Sequence, residues 1–164
     1  MTTLEGLEAS GHLVRIHVPL DGGEQVWRRL FGTPDFVKWL DEDLPQLVTT
    51  VVGGEISPFE QIDARFHEYV IGEHIQDDRR FKGLSWTPEY HVWEFKTLDI
   101  RVFGWAPSRD CFICAFGDMK DRIELMNAYG RYIAQTVYVR DNLPLDPPKF
   151  VASKDYDDVL SNAK

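Results

Sequence analysis

The chain has 164 residues, a length that fits one domain built around one hydrophobic core. No stretch approaches the roughly 18 uninterrupted apolar residues that a membrane helix needs. The net charge of −9 argues against broad, nonspecific nucleic-acid binding, because that affinity rests on cationic contacts to phosphate. The N-terminal residues contain neither a basic cluster nor an apolar run, so we expect no secretory signal and a cytoplasmic location.

The charge is unevenly distributed along the chain. Residues 1–78 contain 5 Lys and Arg against 15 Asp and Glu, a net charge of −10, whereas residues 79–122 contain 8 against 6, a net charge of +2. Residues 123–164 contain 5 against 6. The basic residues therefore gather in the middle, which leaves room for a local site that binds an anion.

Residues 12–19 alternate in a period of two, which predicts a strand. Thr33 and Pro34 then predict the start of a helix, with Thr33 as the N-cap and Pro34 at the first helical position. Ser57 and Glu60 form a capping-box pattern that begins a second helix. The apolar stripe of that helix consists of Phe59, Ile62, Phe66, Tyr69 and Val70.

Three strand-like runs follow, at residues 90–96, 99–105 and 111–116. Their short connections predict a three-stranded antiparallel meander. A two-residue turn at Thr97 and Leu98 would place Glu94 opposite Arg101, although leucine is a poor turn residue.

Cys111 and Cys114 have the C-x2-C spacing of half a zinc site or of a redox dithiol. The sequence offers no second pair of ligands with similar spacing, and the period of a strand places the two side chains on opposite faces. We therefore expect buried core thiols, with no metal and no cofactor.

Residues 121–142 have helical spacing throughout, which predicts one long C-terminal helix of about 30 Å. Its apolar arc is broad enough to suggest a homo-oligomer formed through this helix. The prolines after Leu143 predict an extended tail. We therefore expect a single α+β domain at residues 1–142 and a proline-containing tail at residues 143–164.

Several landmarks occur in an order typical of a known family. They are the helix at residues 36–45, which ends in Leu44-Pro45, and the segments RRFKGL at 79–84, WEFK at 93–96, IRVF at 100–103 and CFICAFGDMK at 111–120. In this order they resemble the RelE/ParE toxin superfamily, in particular its phage-derived HigB-like proteins. The likeness covers roughly residues 11–135.

This resemblance implies a RelE-like antiparallel sheet, built from the N-terminal strand and the meander and packed with helices. It also implies a toxin: a metal-independent, ribosome-dependent mRNA endoribonuclease that inhibits translation and is restrained by an antitoxin protein. The alternative is a non-catalytic phage or bacterial protein on the same scaffold that binds a host protein. The acidic charge favours that alternative, as does Asp121 in the place where the toxins often have a second lysine after Lys120.

RNA cleavage through the 2′-OH needs a base, an acid for the leaving 5′-oxygen and cations that hold the phosphate. The resemblance implies a site of Lys, Arg, His and Tyr side chains on the open face of the sheet. The candidates are His91 for proton transfer, Lys96, Arg101, Lys120 and Arg122 as phosphate clamps, and Trp105 or Tyr129 as a surface on which a base could stack.

Each candidate also has an ordinary structural interpretation. Arg101 could form a cross-strand ion pair with Glu94. His91 could be a surface histidine at a strand edge, and Trp105 fits a core position better than a stacking surface.

Overall fold

The computed structural model describes residues 1–84 and 89–163. The strands in that part of the chain are β1 (Val14–Arg15), β2 (Arg29–Gly32), β3 (Phe81–Leu84), β4 (Val92–Lys96), β5 (Ile100–Ser108) and β6 (Cys111–Met119). The α-helices are α1 (Leu4–Ser10), α2 (Pro34–Lys38), α3 (Pro58–Val70), α4 (Lys120–Leu125), α5 (Tyr129–Asn142) and α6 (Tyr156–Val159). A π turn (Trp39–Asp43) and a 3-10 turn (Leu44–Gln46) prolong α2.

The fold is α+β, as expected, and its six-stranded sheet has the order β1-β2-β6-β5-β4-β3. The starts of two helices are confirmed. The Thr33 hydroxyl accepts the N–H of Phe36 at 3.2 Å, and Ser57 and Glu60 form both hydrogen bonds of the capping box. No helix in the described ranges is long and apolar enough to cross a bilayer.

The predicted meander of β4, β5 and β6 is confirmed, but the prediction of a wholly antiparallel sheet is wrong. Strand β2 pairs with β6 in parallel, from Arg29 opposite Cys111 to Gly32 opposite Cys114. The predicted strand at residues 12–19 is reduced to β1 at the sheet edge, where it pairs with β2. Because β2 is a four-residue strand whose partner is distant in sequence, no local pattern predicts this pairing.

The predicted long helix at residues 121–142 is also wrong, because the structure divides it into α4 and α5. Asn127 lies between them with φ 49°, and the Ala128 N–H donates to the Ile123 carbonyl at 2.9 Å. Asparagine tolerates this left-handed conformation better than most residues, and the backward hydrogen bond ends α4. The apolar spacing continues across the break, which is why periodicity alone does not predict it.

The sheet is covered on both faces. Helices α3 and α6 cover one face, while α1, α5 and residues 143–150 cover the other. Both cysteines are buried, Cys111 on one face and Cys114 on the other, as predicted. Burial raises the pKa of the Cys111 thiol to about 11 and raises that of Cys114 as well, which disfavours the reactive thiolate.

The predicted extended tail packs along the core. A fully buried guanidinium, that of Arg28, holds its end. Arg28 donates to the carbonyl oxygens of Tyr69 at 3.0 Å, Glu73 at 2.9 Å and Ser161 at 2.7 Å, and to the Asn162 side chain at 2.9 Å. These bonds join the end of α3 to the C-terminal segment. The only residue of the tail outside the described ranges is Lys164.

We predict that Arg28→Met lowers the free energy of unfolding by about 3 kcal/mol or more, because it leaves several buried acceptors without a donor. Arg29→Met is the matched control, since the Arg29 side chain is partly exposed and pairs with an exposed Glu5. The control should lose less than about 1 kcal/mol. Urea denaturation measures both variants, and equal midpoints would contradict the role assigned to Arg28.

Candidate anion-binding site

The turn between β4 and β5 lies one residue later in the chain than the predicted turn at Thr97 and Leu98. The Thr97 N–H donates to the Ile100 carbonyl at 3.0 Å, so the turn residues are Leu98 and Asp99. A one-residue shift of the turn moves the register by two residues. Lys96, not Glu94, is therefore the residue directly opposite Arg101.

This register places two cations side by side on one face of the sheet. Like charges directly opposite each other destabilise an antiparallel pair. Lys120, at the start of α4, brings a third cation to a helix N-terminus, where positive charge is also unfavourable. Such local conflicts concentrate at functional sites.

Arg101 is held in one orientation by its neighbours. Only 8% of the residue is exposed. Its Nη1 donates to the carbonyl oxygens of Thr97 at 2.6 Å and Ile100 at 3.0 Å, and its Nε donates to the Tyr129 hydroxyl at 3.2 Å. In the described part of the chain Nη2 has no hydrogen-bond partner, and this atom is not buried. The guanidinium is thus held in place by three hydrogen bonds from Nε and Nη1.

The buried Glu94 carboxylate lies behind Arg101, with its Oε1 3.7 Å from Arg101 Nε and 3.4 Å from the Tyr129 hydroxyl. Burial raises the pKa of Glu94, although the charges of Arg101 and Lys96 oppose this effect. The ordinary ion pair that the sequence suggested therefore exists, but it is diagonal and it supports Arg101 from one side.

Lys96, Arg101 and Lys120 line one open cavity of about 460 Å³, which we call the cationic hollow. Its other lining residues are Arg65, Asp78, Arg79, Thr97 and Leu98. Five cationic side chains and one carboxylate thus surround a single opening in a chain whose net charge is −9. Such an opening favours an anionic ligand.

Three of these cations have no carboxylate within 4.0 Å among residues 1–84 and 89–163. They are Arg79, Lys96 and Lys120. Arg80, adjacent to Arg79 in sequence, is by contrast paired with two carboxylates. The unpaired charges are therefore available to a ligand.

Lys96 differs from an ordinary surface lysine. Partial burial, together with the charge of Arg101, lowers the pKa of its ammonium group. A lysine with a lowered pKa has a larger neutral fraction near neutral pH, and a neutral amine can accept a proton.

The other candidates occupy different positions. His91 precedes β4 and Lys96 ends it, a separation of about 16 Å along an extended strand, so His91 is not part of the cationic hollow. The ring of His91 stacks on Phe150. Trp105 is fully buried and donates from Nε1 to the Lys149 carbonyl at 3.1 Å, so it cannot stack on a base in this arrangement.

Arg122 lies outside the lining of the cationic hollow and pairs with Asp118 at 3.2 Å, with 68% of its side chain exposed. Tyr129 reaches the site only through its hydroxyl, which accepts a hydrogen bond from Arg101. Arg65 and Arg79 were not among the candidates, because Arg65 lies on α3 and Arg79 belongs to the DDRR segment, which has the composition of a solvated loop.

A larger open cavity of about 560 Å³ has the opposite electrostatic character, with Asp21, Glu60, Asp63 and Glu68 in its lining. These four carboxylates make it unsuitable for an anion.

One group among the described residues has ligand atoms close enough for a metal ion: those of Asp21, Glu24 and His67 lie within 4.8 Å of one another. Two of these atoms are already engaged, because His67 Nε2 is 2.7 Å from Glu24 Oε1. This hydrogen bond raises the pKa of His67 and joins the loop before β2 to α3.

The chain matches no protein-family model, no curated protein and no solved structure.

Anion binding in the cationic hollow should depend on the charge of Lys96. Because its pKa is lowered, Lys96 loses its charge at a lower pH than an ordinary lysine does. We therefore predict that affinity for an anion falls as pH rises, and that the fall begins at a lower pH than it would with an unperturbed lysine. In Lys96→Arg the charge persists, so the fall should move to higher pH. A suitable probe is 2′-O-methyl oligoadenylate, which cannot be cleaved through the 2′ oxygen. Calorimetric titration measures the affinity at each pH. Lys38→Arg is the control, and identical profiles for all three proteins would contradict the assignment.

Proposed function

We propose that the cationic hollow holds an RNA phosphodiester and that the chain is a ribosome-dependent mRNA endoribonuclease, as its resemblance to RelE/HigB-like toxins implies. The observation that carries the proposal is the shared cavity of Lys96, Arg101 and Lys120. The resemblance implies a phosphate clamp formed by these three residues and Arg122. Residues as distant in sequence as Lys96 and Lys120 line one cavity only when the fold brings them together.

The proposed reaction uses the RNA 2′-OH as the nucleophile. Its oxygen attacks the adjacent phosphorus while the bond from phosphorus to the 5′-oxygen breaks, which yields a 2′,3′-cyclic phosphate and a free 5′-OH. In the fraction of molecules whose Lys96 is neutral, its amine takes the 2′-OH proton, and the Lys120 ammonium group donates a proton to the leaving 5′-oxygen. Arg101 Nη2 stabilises the charge that develops on the non-bridging oxygens. The position of His91 outside the hollow is the reason for assigning proton transfer to Lys96.

A second candidate function is a non-catalytic scaffold that binds a host protein. Two observations favour it: the net charge of −9 and the absence of His91 from the cationic hollow. In this version the hollow receives carboxylates of a partner rather than phosphate. As a toxin the protein would bind an antitoxin and the ribosome with its mRNA, whereas as a scaffold it would bind another host protein.

We predict that wild-type protein, induced in bacteria, slows growth and protein synthesis, and that Lys96→Gln/Lys120→Gln reduces mRNA cleavage by roughly 100-fold. The matched control is Lys38→Gln/Lys154→Gln, which changes the net charge equally at exposed positions outside the hollow. It should retain the wild-type effect.

Equal inhibition by both double variants, or no inhibition by wild type, would reject the nuclease. Capture from a bacterial lysate separates the two candidates, because a nuclease of this kind should recover ribosomes or an antitoxin. Recovery of a different host protein, lost in Lys96→Gln/Lys120→Gln, would favour the scaffold.

A further inference from the structure

Leu98 is an exposed apolar side chain on the rim of the cationic hollow. It occupies the tip of the β4–β5 turn, and 69% of it is exposed. A single exposed leucine needs no explanation by itself. Its position between the two strands that supply Lys96 and Arg101 makes it informative, because Leu98 lines the same cavity as those cations.

The turn that carries Leu98 is held rigidly from outside the hairpin. The Asp99 carboxylate accepts hydrogen bonds from the Thr50 hydroxyl at 2.7 Å, the Thr50 N–H at 3.0 Å and the Gln61 amide at 2.6 Å. The Gln61 oxygen in turn accepts from the Thr97 hydroxyl at 2.8 Å and the Asp99 N–H at 3.0 Å. Both neighbours of Leu98 are therefore buried and fixed.

A rigid turn with one exposed apolar side chain beside a phosphate clamp is suited to contact a nucleotide at two points. The cations hold the charged backbone of a nucleotide, and an aliphatic side chain at the rim can contact the face of its base. Base faces are accessible in single-stranded RNA but are stacked within a duplex.

We infer that Leu98 is a specificity-determining residue that contacts an unstacked base and thereby selects single-stranded RNA over duplex RNA. The inference rests on the proposed function, since it needs a phosphodiester in the cationic hollow. It adds a residue that the resemblance does not supply, and it assigns the base contact to Leu98, whereas the sequence had suggested Trp105 or Tyr129.

The test compares two probes: inorganic pyrophosphate, which has no base, and single-stranded 2′-O-methyl oligoadenylate. Leu98→Ala should weaken oligoadenylate binding about 5- to 20-fold, the range of a modest base contact, and should leave pyrophosphate binding unchanged. Leu98→Trp should strengthen oligoadenylate binding, since an aromatic ring stacks better on a base. The same oligoadenylate annealed to oligouridylate should bind wild type and Leu98→Ala equally.

Leu125→Ala is the control, because Leu125 is 85% exposed and lies outside the lining of the hollow. Equal oligoadenylate affinity of wild type and Leu98→Ala overturns the inference while the proposed function stands. A parallel loss of pyrophosphate binding also overturns it, because Leu98 would then only support the turn. If wild type binds neither probe, the proposed function fails and the inference fails with it.

Discussion

The hydrogen bonds that anchor Asp99 determine where the β4–β5 hairpin turns. Burial acts to raise the pKa of this carboxyl group, but its hydrogen bonds, including those from Thr50 and Gln61, outweigh burial and lower it. The stabilised carboxylate fixes Leu98 and Asp99 as the turn residues. A turn one residue earlier would place Glu94 opposite Arg101, neutralise the pair and remove Lys96 from its position. The cationic character of the site thus depends on an anionic anchor within the turn itself, the carboxylate of Asp99.

An acidic protein can maintain a cationic opening when its carboxylates lie around other openings. The carboxylates of the N-terminal half are concentrated elsewhere, including the acidic cavity lined by Asp21, Glu60 and Asp63. Arg65 on α3 lines the hollow and donates to the Lys96 carbonyl at 2.8 Å, while its Nη1 pairs with Glu68. Net charge therefore does not predict the local potential, which depends on how many cations and carboxylates the fold places around each opening.

The elements that local sequence determines could be predicted: two helix starts, the meander and the buried cysteines. The predictions are wrong where tertiary contacts, and not the local sequence, determine the structure. Strand β2 pairs in parallel with a distant strand, and Asn127 interrupts an apolar stripe that continues on both sides of it. The candidate site follows the same rule. Sequence landmarks predicted Lys96, Arg101 and Lys120, but not Arg65 or Arg79, whose approach to the hollow depends on the packing of α3 and of the loop before β3.

We propose that the cationic hollow is where this protein binds a nucleic-acid backbone. The most direct test of this proposal is amide chemical-shift mapping by NMR during a titration with single-stranded 2′-O-methyl oligoadenylate. We expect the perturbed amides to cluster at residues 96–101 and around Arg79 and Lys120. Perturbations centred instead on other exposed cations, such as Arg109 or Lys154, or their absence at saturating oligoadenylate, would contradict it.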